Sequence, residues 1–341
     1  MIKRISYYGC FSFIFCLYVY SSHAQKIVSN PKPLFQDPVF DGAADPIIIW
    51  NKKEKQWYML YTNRRANDTT LKGVTWVHGT RIGIATSKNG VHWKYKDTAD
   101  IQYRPHENYT HWAPDVVEYN GLYHMFLTYV PGVFTDWNHP REIIHLTSTD
   151  LLHWQYLNTP LLASQKVIDA CIFPLPNHQG FRMWYNNEKD KKSIYYADSK
   201  DLIDWVDKGK AVGDKGGEAP KVFEWKNAYW MIVDNWMGMG VYKSTDLLNW
   251  KRQENRILEF AGNGNQDQAI GGHCDVVVNN GKAFVYYFTH PGRTGAKNTW
   301  KDVTSTRRSI IQLAELTEND GIIECDRNQP TIATLKKPFK N

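Results

Sequence analysis

The sequence is organised around the stretch Gly216-Gly217-Glu218-Ala219-Pro220-Lys221-Val222-Phe223, which places one carboxylate at the start of a short apolar segment. A second apolar segment, Ala228-Tyr229-Trp230-Met231-Ile232-Val233, follows after a few polar residues. Aromatic and β-branched residues of this kind are enriched in β-strands. The stretch therefore predicts two strands joined by a tight turn, with Glu218 at the entrance of the first strand.

The same order of a polar or acidic residue, a short strand and a second strand occurs five times along the chain. The other four modules begin at Asp45 before Pro46–Trp50, at Ala113-Pro114-Asp115 before Val116–Tyr119, at Asp169 before Ala170–Phe173, and at Gly272-His273-Cys274-Asp275 before Val276–Val278. Internal repeats of this length indicate an architecture built from one repeated supersecondary unit. We therefore expect a closed ring in which the first strands of all modules meet at a central axis.

A second repeat defines the outer part of each module. A serine, an Asn or Asp two positions later and a tryptophan six positions after the serine recur in Ser87–Trp93, Ser148–Trp154, Ser199–Trp205 and Ser244–Trp250. The short polar side chains accept hydrogen bonds from nearby backbone N–H groups and so favour a turn. The predicted fold is all-β, a five-bladed β-propeller with four antiparallel strands per blade. Its fifth blade is expected to take the third strand from Ser309–Leu316 and the fourth from Gly321–Cys325.

Composition and charge exclude several classes of function. The 341 residues are 42% hydrophobic and 14% aromatic, which is enough for a large buried core. The formal net charge is +6 and no run of five or more basic residues occurs, so nucleic acid is not an expected partner. Beyond the N-terminal segment the cysteines are Cys171, Cys274 and Cys325, an odd number whose spacing matches no zinc motif.

The N-terminal segment, residues 1–24, is typical of a cleaved secretory signal peptide. Lys3 and Arg4 supply the positive end, residues 5–20 form an apolar stretch, and Ser22-His23-Ala24 is a small-residue cleavage site. Residues 25–341 are then the propeller, a single catalytic domain, with residues 25–42 expected to run around the ring and help to close it. A periplasmic or secreted location follows, with no membrane association after signal cleavage.

Three carboxylates are expected to meet at one end of the propeller axis, because the first strands of all blades converge there. Asp45, Asp169 and Glu218 come from blades one, three and four and stand at the same place in the repeat. Like charges that are close together raise the pKa of one carboxyl, and carboxyls with different proton affinities are what glycoside hydrolysis needs. Each acid also has a structural explanation: Asp45 as a turn start before Pro46, Asp169 as a partnered core residue, and Glu218 as a solvated turn residue. Asp115, one position later in its motif, is expected to order a turn.

The motifs resemble those of the five-bladed β-propeller glycoside hydrolases, most closely glycoside hydrolase family 43. The resemblance lies in Ala44-Asp45-Pro46, Trp112-Ala113-Pro114-Asp115, Val167-Ile168-Asp169, Glu218-Ala219-Pro220 and Gly272-His273, and it covers nearly all of residues 25–341. Each motif is short, but five of them in order at blade spacing form a specific set. The resemblance implies inversion of configuration, with Asp45 as the general base that activates water, Glu218 as the general acid that protonates the leaving oxygen, and Asp169 as the carboxylate that orients the acid.

The resemblance also implies residues that contact the sugar or a metal. Arg293 is similar to an arginine that bonds the terminal sugar. His273 is similar to a histidine near the axis that contacts a water or a bound calcium ion, so His273 is both a substrate-binding candidate and the candidate metal ligand. A structural Ca²⁺ at the axis is therefore an expectation, although the reaction itself requires no cofactor. From their places beside or after inner strands, Trp112, Asn186 and Trp236 are expected to form walls of the sugar site.

Two long segments inside blades one and two, Asn67–His78 and Pro131–His139, are of the kind that shape a binding site at one face. Simple surface insertions are the alternative for both. Arg64 and Arg65 are candidates for binding a carboxylate or sulfate, because guanidinium groups suit bidentate anion contacts.

The sequence thus predicts a secreted or periplasmic, exo-acting glycosidase that releases a terminal arabinofuranose- or xylose-like residue from an oligosaccharide or polysaccharide. The sugar follows only from the commonest activities of the family. One alternative is a retaining fructan-cleaving propeller, although the Asn-Asp-Pro-Asn signature of that class is incomplete around Asp45. Another is a propeller that acts on 3,6-anhydro-galactose ends. In that class a histidine serves as the acid, and the presence of Glu218 argues against it here. A non-catalytic carbohydrate-binding propeller is the alternative of a different class.

Overall fold

The computed structural model describes residues 29–104, 107–295 and 299–338. Their strands form five successive sheets, four with four strands and one with five. In each sheet four strands that follow one another in the chain are antiparallel neighbours, and the five-stranded sheet has one additional short strand at its edge. This arrangement confirms the predicted all-β fold, a five-bladed β-propeller with four antiparallel strands per blade.

The strand bounds follow the predicted modules closely. Blade 1 contains β1 (Ala43–Asn51), β2 (Gln56–Asn63), β3 (Arg81–Ser87) and β4 (Lys94–Thr98); blade 2 contains β5 (Asp100–Gln102), β6 (Thr110–Tyr119), β7 (Leu122–Val130), β8 (Glu142–Ser148) and β9 (His153–Asn158); blade 3 contains β10 (Val167–Pro174), β11 (Phe181–Asn187), β12 (Ser193–Ser199) and β13 (Val206–Val212); blade 4 contains β14 (Glu218–Trp225), β15 (Ala228–Asp234), β16 (Met239–Ser244) and β17 (Lys251–Arg252); blade 5 contains β18 (Gly271–Asn279), β19 (Lys282–Thr289), β20 (Ile310–Asn319) and β21 (Ile322–Glu324). The short β5 pairs in parallel with β9. A single-turn helix, α1 (Thr304–Arg307), and two 3₁₀ turns (Thr75–Val77 and Pro176–His178) lie between strands. The two outer strands of blade 5 are those expected from the sequence.

The Ser-x-Asp turns join the third and fourth strands of four blades. In blade 2 the Ser148 hydroxyl accepts the N–H groups of Asp150 and Leu151 at 3.1 and 2.9 Å, and the Asp150 carboxylate accepts the next two N–H groups at 2.8 and 2.9 Å. Leu151 has a φ of 69°, and the indole N–H of Trp154 donates to its carbonyl at 3.2 Å. Because four successive N–H groups and the indole of the turn are bonded by residues of the motif itself, this local sequence specifies the turn.

The core of the molecule lies between blades. Five clusters of buried apolar side chains each draw on two neighbouring blades, and the fully buried Trp154, Trp184 and Trp230 belong to three of them. Each blade therefore buries its faces against its neighbours, which positions the inner strands around the axis.

The ring is closed where blade 5 meets blade 1. The N–H groups of Leu34 and Phe35 donate to the carbonyl of Ile311 in β20 at 3.0 and 3.1 Å, as expected for a segment that helps to close the ring. Near the other end of the chain, the N–H of Leu335 donates to the carbonyl of Asn89 at 2.8 Å. Both terminal segments thus add contacts at this junction.

The predicted signal peptide, residues 1–24, lies outside the described residues. In the part of the chain that the structure describes, no helix has the length and apolar character needed to cross a membrane.

Candidate active site

A β-bulge interrupts the first strand of every blade at the same level. The pairing of the first and second strands shifts between Ala44 and Ile47 in blade 1, and at the equivalent point in each of the other four blades. In four blades the bulge residue has a positive φ: Asp45 (51°), Ala113 (45°), Asp169 (60°) and Ala219 (55°). This conformation costs a non-glycine residue about 1 kcal/mol or more and is concentrated at functional sites. A bulge re-aims the side chains of its strand, and here it does so at the axial end of every blade.

The bulge register corrects one expectation. Asp45 and Asp169 occupy equivalent bulge positions, but Glu218 lies one residue earlier, where it pairs with Asp234 on the second strand. The three acids therefore do not stand at the same place in the repeat. Glu218 also differs in exposure: its side chain is 27% exposed, whereas the side chain of Asp45 is 7% exposed.

Asp45 lies in a ring of basic groups. The guanidinium of Arg64 donates to both of its carboxylate oxygens at 3.1 and 3.4 Å, and Nδ1 of His273 lies 3.5 Å from Oδ1. Arg64 also contacts Nε2 of His290 at 3.2 Å and lies over the ring of Phe288. Burial lowers the pKa of His273 to about 4, so the imidazole is neutral and Arg64 alone compensates the negative charge.

Asp169 connects the acid-bearing strand of blade 4 to blade 3. Its Oδ2 accepts the N–H of Ala219, the residue after Glu218, at 3.1 Å, and its own N–H donates to the Thr128 hydroxyl at 3.0 Å. Burial, followed by the negative charges of Glu218 and Asp45, raises the pKa of Asp169 well above its usual range. The contact with Ala219 orients the backbone that carries Glu218.

Glu218 ends a chain of alternating charges across the cavity wall. The ammonium of Lys192 lies 3.5 Å from Glu218 Oε2 and 3.3 Å from Glu188, and Arg141 lies 3.0 Å from the other oxygen of Glu188. Burial lowers the pKa of Lys192, but the two carboxylates outweigh that effect and raise it. Lys192 is thereby a positively charged neighbour of Glu218 throughout the physiological pH range.

Asp45, Asp169 and Glu218 all line one cavity of about 780 Å³. This volume is in the range of small-molecule sites. The lining contains five tryptophans from four blades and their connecting loops: Trp76, Trp112, Trp137, Trp236 and Trp300. Trp76 and Trp137 belong to the two long segments, so the segments inside blades one and two contribute to the cavity wall rather than being plain surface insertions. Flat aromatic surfaces around a group of carboxylates are suited to holding a sugar ring.

The predicted substrate-binding residues divide into those that line the cavity and one that does not. Trp112, Trp236, His273 and Arg293 are lining residues. Burial, and secondly the positive charge of Arg64, lower the pKa of Arg293 to about 10. The Nε of Arg293 donates to the Thr306 carbonyl at 2.7 Å. Asn186 differs from the prediction: it is fully buried, and its amide donates to the backbone carbonyl of Gly217.

The two arginines proposed as anion ligands also take different places. Arg64 lines the cavity and pairs with Asp45. Arg65 instead donates to the carbonyls of His78 and Thr75 at 2.9 and 2.8 Å, which holds the segment between β2 and β3. Only Arg64 is positioned to meet a ligand.

Five charged residues of the cavity were not predicted from the sequence: Arg141, Lys166, Glu188, Lys192 and Asp234. Counting strand pairs outward from the turn at Lys226-Asn227 would place Asp234 opposite Ala219. The bulge shifts the pairing by one residue and brings Asp234 opposite Glu218, so the sequence does not give this pair. The other four lie in the connections between strands, where no sequence repeat marks them.

A second layer of side chains crosses the axis beneath the acids. Equivalent positions just after the five bulges hold Ile47, Asp115, Cys171, Lys221 and Asp275. The Lys221 ammonium lies 3.0 Å from Asp115 and 2.8 Å from Asp275. Asp115 was expected to order a turn, and that expectation was wrong: Asp115 is a buried member of this layer. We refer to these five residues as the hub layer.

The hub layer bears on the expected calcium ion. Within residues 29–104, 107–295 and 299–338, no group of three or more His, Cys, Asp and Glu side chains is placed to hold a metal ion. The carboxylates of Asp115 and Asp275 face the Lys221 ammonium, and Asp45 beside His273 faces Arg64. Since protein cations already compensate the oxygens that calcium would use, these residues do not fit a calcium site.

Comparison with known sequences decides the family. Residues 35–323 match the sequence model of the glycosyl hydrolases family 43. The chain belongs to this family. Membership of a family of glycosyl hydrolases argues against the alternative of a non-catalytic binding propeller.

Other family 43 propellers share the fold at low identity. A thermostable family 43 glycoside hydrolase is 20% identical with a TM-score of 0.63, covering 90% of this chain and 100% of that one. A family 43 β-xylosidase/α-arabinofuranosidase from a compost microbial metagenome, in complex with xylotriose, is 15% identical with a TM-score of 0.59, covering 83% and 94%. A fructan β-fructosidase of Streptococcus mutans serotype c is 25% identical over 262 residues, which is 67% of this chain. The chain spans 18% of that curated relative's length.

Proposed function

We propose that this family 43 enzyme is an exo-acting glycosidase that inverts configuration. The observation that carries the proposal is the placement of Asp45 and Glu218 in one cavity from blades 1 and 4, which are not neighbours in the ring. Inverting enzymes hold their two carboxyls about 6.5–9.5 Å apart to leave room for a water, whereas retaining enzymes hold them about 5–5.5 Å apart. We assign the wider arrangement to Asp45 and Glu218 because the chain belongs to family 43, for which the resemblance implies inversion.

The proposed reaction assigns a proton transfer to each acid. Asp45, whose charge is balanced by Arg64, takes a proton from a water that attacks the anomeric carbon. Glu218 gives its proton to the glycosidic oxygen as the bond to the anomeric carbon breaks. Asp169 orients Glu218 through the N–H of Ala219. These steps require no bound cofactor.

The shape of the cavity supports cleavage at a chain end. Trp76, Trp137 and Trp300 come from connections in three different blades and wall the cavity above the acids. A site walled from several sides accommodates a terminal residue better than the middle of a polymer. We propose a terminal arabinofuranose- or xylose-like sugar, by analogy with the xylosidase/arabinofuranosidase neighbour, and a secreted or periplasmic location on the basis of residues 1–24.

A second candidate is a retaining, fructan-type activity. The match to the fructan β-fructosidase of S. mutans favours it. In that case Asp45 would attack the anomeric carbon directly and form a covalent intermediate that water then hydrolyses.

One experiment separates the two candidates. The wild-type enzyme is incubated with aryl α-L-arabinofuranosides, β-xylosides and β-galactosides and with short fructans, and the anomer released first is identified by proton NMR. We expect hydrolysis of a pentoside with inversion, and loss of that hydrolysis in Asp45→Asn. A first product with retained configuration would overturn the inverting assignment, and cleavage of fructans alone would establish the second candidate.

A further inference from the structure

Asp234 occupies a place in blade 4 that a threonine occupies in blades 1 and 2. Thr62 pairs with Ala44, Thr128 with Trp112, and Asp234 with Glu218, each opposite the residue before the bulge. In all three cases the side chain accepts the N–H of the next blade's bulge residue. The distances are 2.8 Å from Ala113, 3.0 Å from Asp169 and 2.8 Å from His273. A hydroxyl is sufficient for this interblade contact, so the contact alone does not explain a carboxylate at position 234.

The carboxylate of Asp234 has a second partner that a threonine would not reach in the same way. Its Oδ1 accepts the N–H of Trp236 at 2.7 Å, while Oδ2 accepts that of His273. Trp236 has a φ of 60°, which is strained for a bulky residue. Its indole is 39% exposed at the cavity, and the Lys192 ammonium lies 4.8 Å from the ring centre. Asp234 thus holds Trp236 in a conformation that presents its ring to the cavity, next to the Lys192 ammonium that also lies 3.5 Å from Glu218.

Asp234 is also a direct cross-strand neighbour of Glu218. Such pairs have Cβ atoms about 4.5–5.5 Å apart, and both side chains line the cavity. Asp234 is 5% exposed, so solvent screens the interaction weakly. The charge of Glu218 acts on Asp234, and two carboxyls that interact strongly do not lose their protons independently.

We propose that Asp234 is a positioning residue for the hydrolytic reaction, which keeps a proton available to Glu218 through the coupled pair and holds Trp236 as a wall for the leaving group. This role rests on the proposed function of Glu218 as the general acid. Burial, then the charge of Glu218, raises the pKa of Asp234 to about 7, although the two N–H groups oppose the shift. The other charged or titratable residues that line the cavity around the pair are Asp45, Arg64, Arg141, Lys166, Asp169, Glu188, Lys192, His273, His290 and Arg293.

The kinetic test uses Asp234→Thr, which keeps the interblade acceptor found in blades 1 and 2 and removes the carboxyl. We expect the alkaline limb of the kcat/KM profile to move to lower pH by about one unit. Without a carboxylate at position 234, no like charge there favours the protonated form of Glu218. The control is Thr62→Val, which removes an equivalent contact away from Glu218 and should leave the limb in place. A profile of Asp234→Thr that superimposes on the wild type, with a uniform loss of kcat/KM, would show that Asp234 is merely structural.

A second measurement does not depend on turnover. Carbon-13 NMR of aspartate carboxyls, assigned with Asp234→Asn, follows the titration of Asp234 in the wild type and in Glu218→Gln. We expect the midpoint of Asp234 to fall by about one pH unit when the charge at position 218 is removed. An unchanged midpoint would overturn the coupling even in an active enzyme. A lowered midpoint in a protein that hydrolyses none of the glycosides would support the pair while refuting the proposed function.

Discussion

The hub layer gives the sharpest prediction about stability, through the substitution Lys221→Met. The Lys221 side chain is 14% exposed and its two partners, Asp115 and Asp275, are 7% and 3% exposed. Each carboxylate also accepts a backbone N–H from a neighbouring blade: Asp115 from Ile172 and Asp275 from Ile48, both at 2.7 Å. The ammonium thus compensates two carboxylates that connect blades at the axis.

The expected loss can be worked from the two distances. At about 3 Å and an effective dielectric constant near 20, each ion pair is worth about 5 kcal/mol before desolvation. Removing one partner of a buried pair usually costs about 3–5 kcal/mol, since the remaining charge is left uncompensated. With an unfolding entropy of about 2.1 cal/mol/K per residue over about 300 residues, this corresponds to a fall in Tm of roughly 5–8 °C.

The loss should also depend on pH. Burial raises the pKa of Asp115 and Lys221 opposes that shift, so without Lys221 the folded-state pKa is higher still. A carboxyl whose pKa is raised on folding destabilises the protein increasingly as pH rises from its unfolded pKa through its folded pKa. Lys221→Met should therefore lose more stability at pH 8 than at pH 5.

The assay is differential scanning fluorimetry or calorimetry of both proteins, with and without EDTA. The exposed Lys215→Met removes the same charge from the surface and is the matched control. We expect EDTA to leave the wild-type Tm unchanged. If Lys221→Met melted within about 1 °C of the wild type, or if EDTA alone reproduced its loss, the ammonium would not be the cation that stabilises the hub.

Three further predictions concern the cavity. Asp45→Asn should lower kcat by roughly 10²–10⁴-fold on every substrate, whereas Glu218→Gln should do so only for substrates with poor leaving groups, because an activated aryl group needs no proton; stopped assays on nitrophenyl and natural glycosides check this, and equal losses on both would contradict the acid assignment. Asp234→Asn should flatten the pH dependence of stability. The folded protein keeps a proton on Asp234 up to about pH 7, whereas the unfolded chain loses it near pH 4, so the free energy of unfolding of the wild type falls across that window by on the order of 4 kcal/mol. If denaturant titrations showed the same fall between pH 4 and pH 7 for both proteins, Asp234 would not be its source. Trp137→Ala removes a residue that is 51% exposed and lies beside Trp112. It should raise the KM for oligosaccharides by roughly 2–10-fold and leave the KM for aryl monosaccharides nearly unchanged. An equal rise in both KM values would show that Trp137 does not bind the part of the substrate beyond the terminal sugar.

The turns and the alternation of strands could be predicted because they depend on residues close together in the sequence. Ser148, Asp150 and Trp154 each bond backbone groups within the same seven residues, so their spacing alone indicated an outer turn and the start of a strand. Repetition of that turn and of the inner strand pairs gave the number of blades. The identity of Asp45, Asp169 and Glu218 as cavity residues followed from the same repeat.

The relations among cavity residues could not be predicted in this way. The bulge moves Glu218 one residue from the position of Asp45, and a shift of one residue reverses the side to which a strand side chain points. Asn186 was expected at the sugar but is buried. It lies at the end of β11, where a difference of one residue in the pairing likewise decides to which side the side chain points.

The sequence by itself determined the ring of five blades and the acids that face its axis, since both arise from local turn hydrogen bonds and from a pattern that repeats. Only the tertiary structure decided that Lys221 lies between Asp115 and Asp275 and that Asp234 lies beside Glu218. Lys221 lies 106 positions from Asp115. Contacts of this kind depend on the register of each blade and on ring closure, and neither is encoded within a few neighbouring residues.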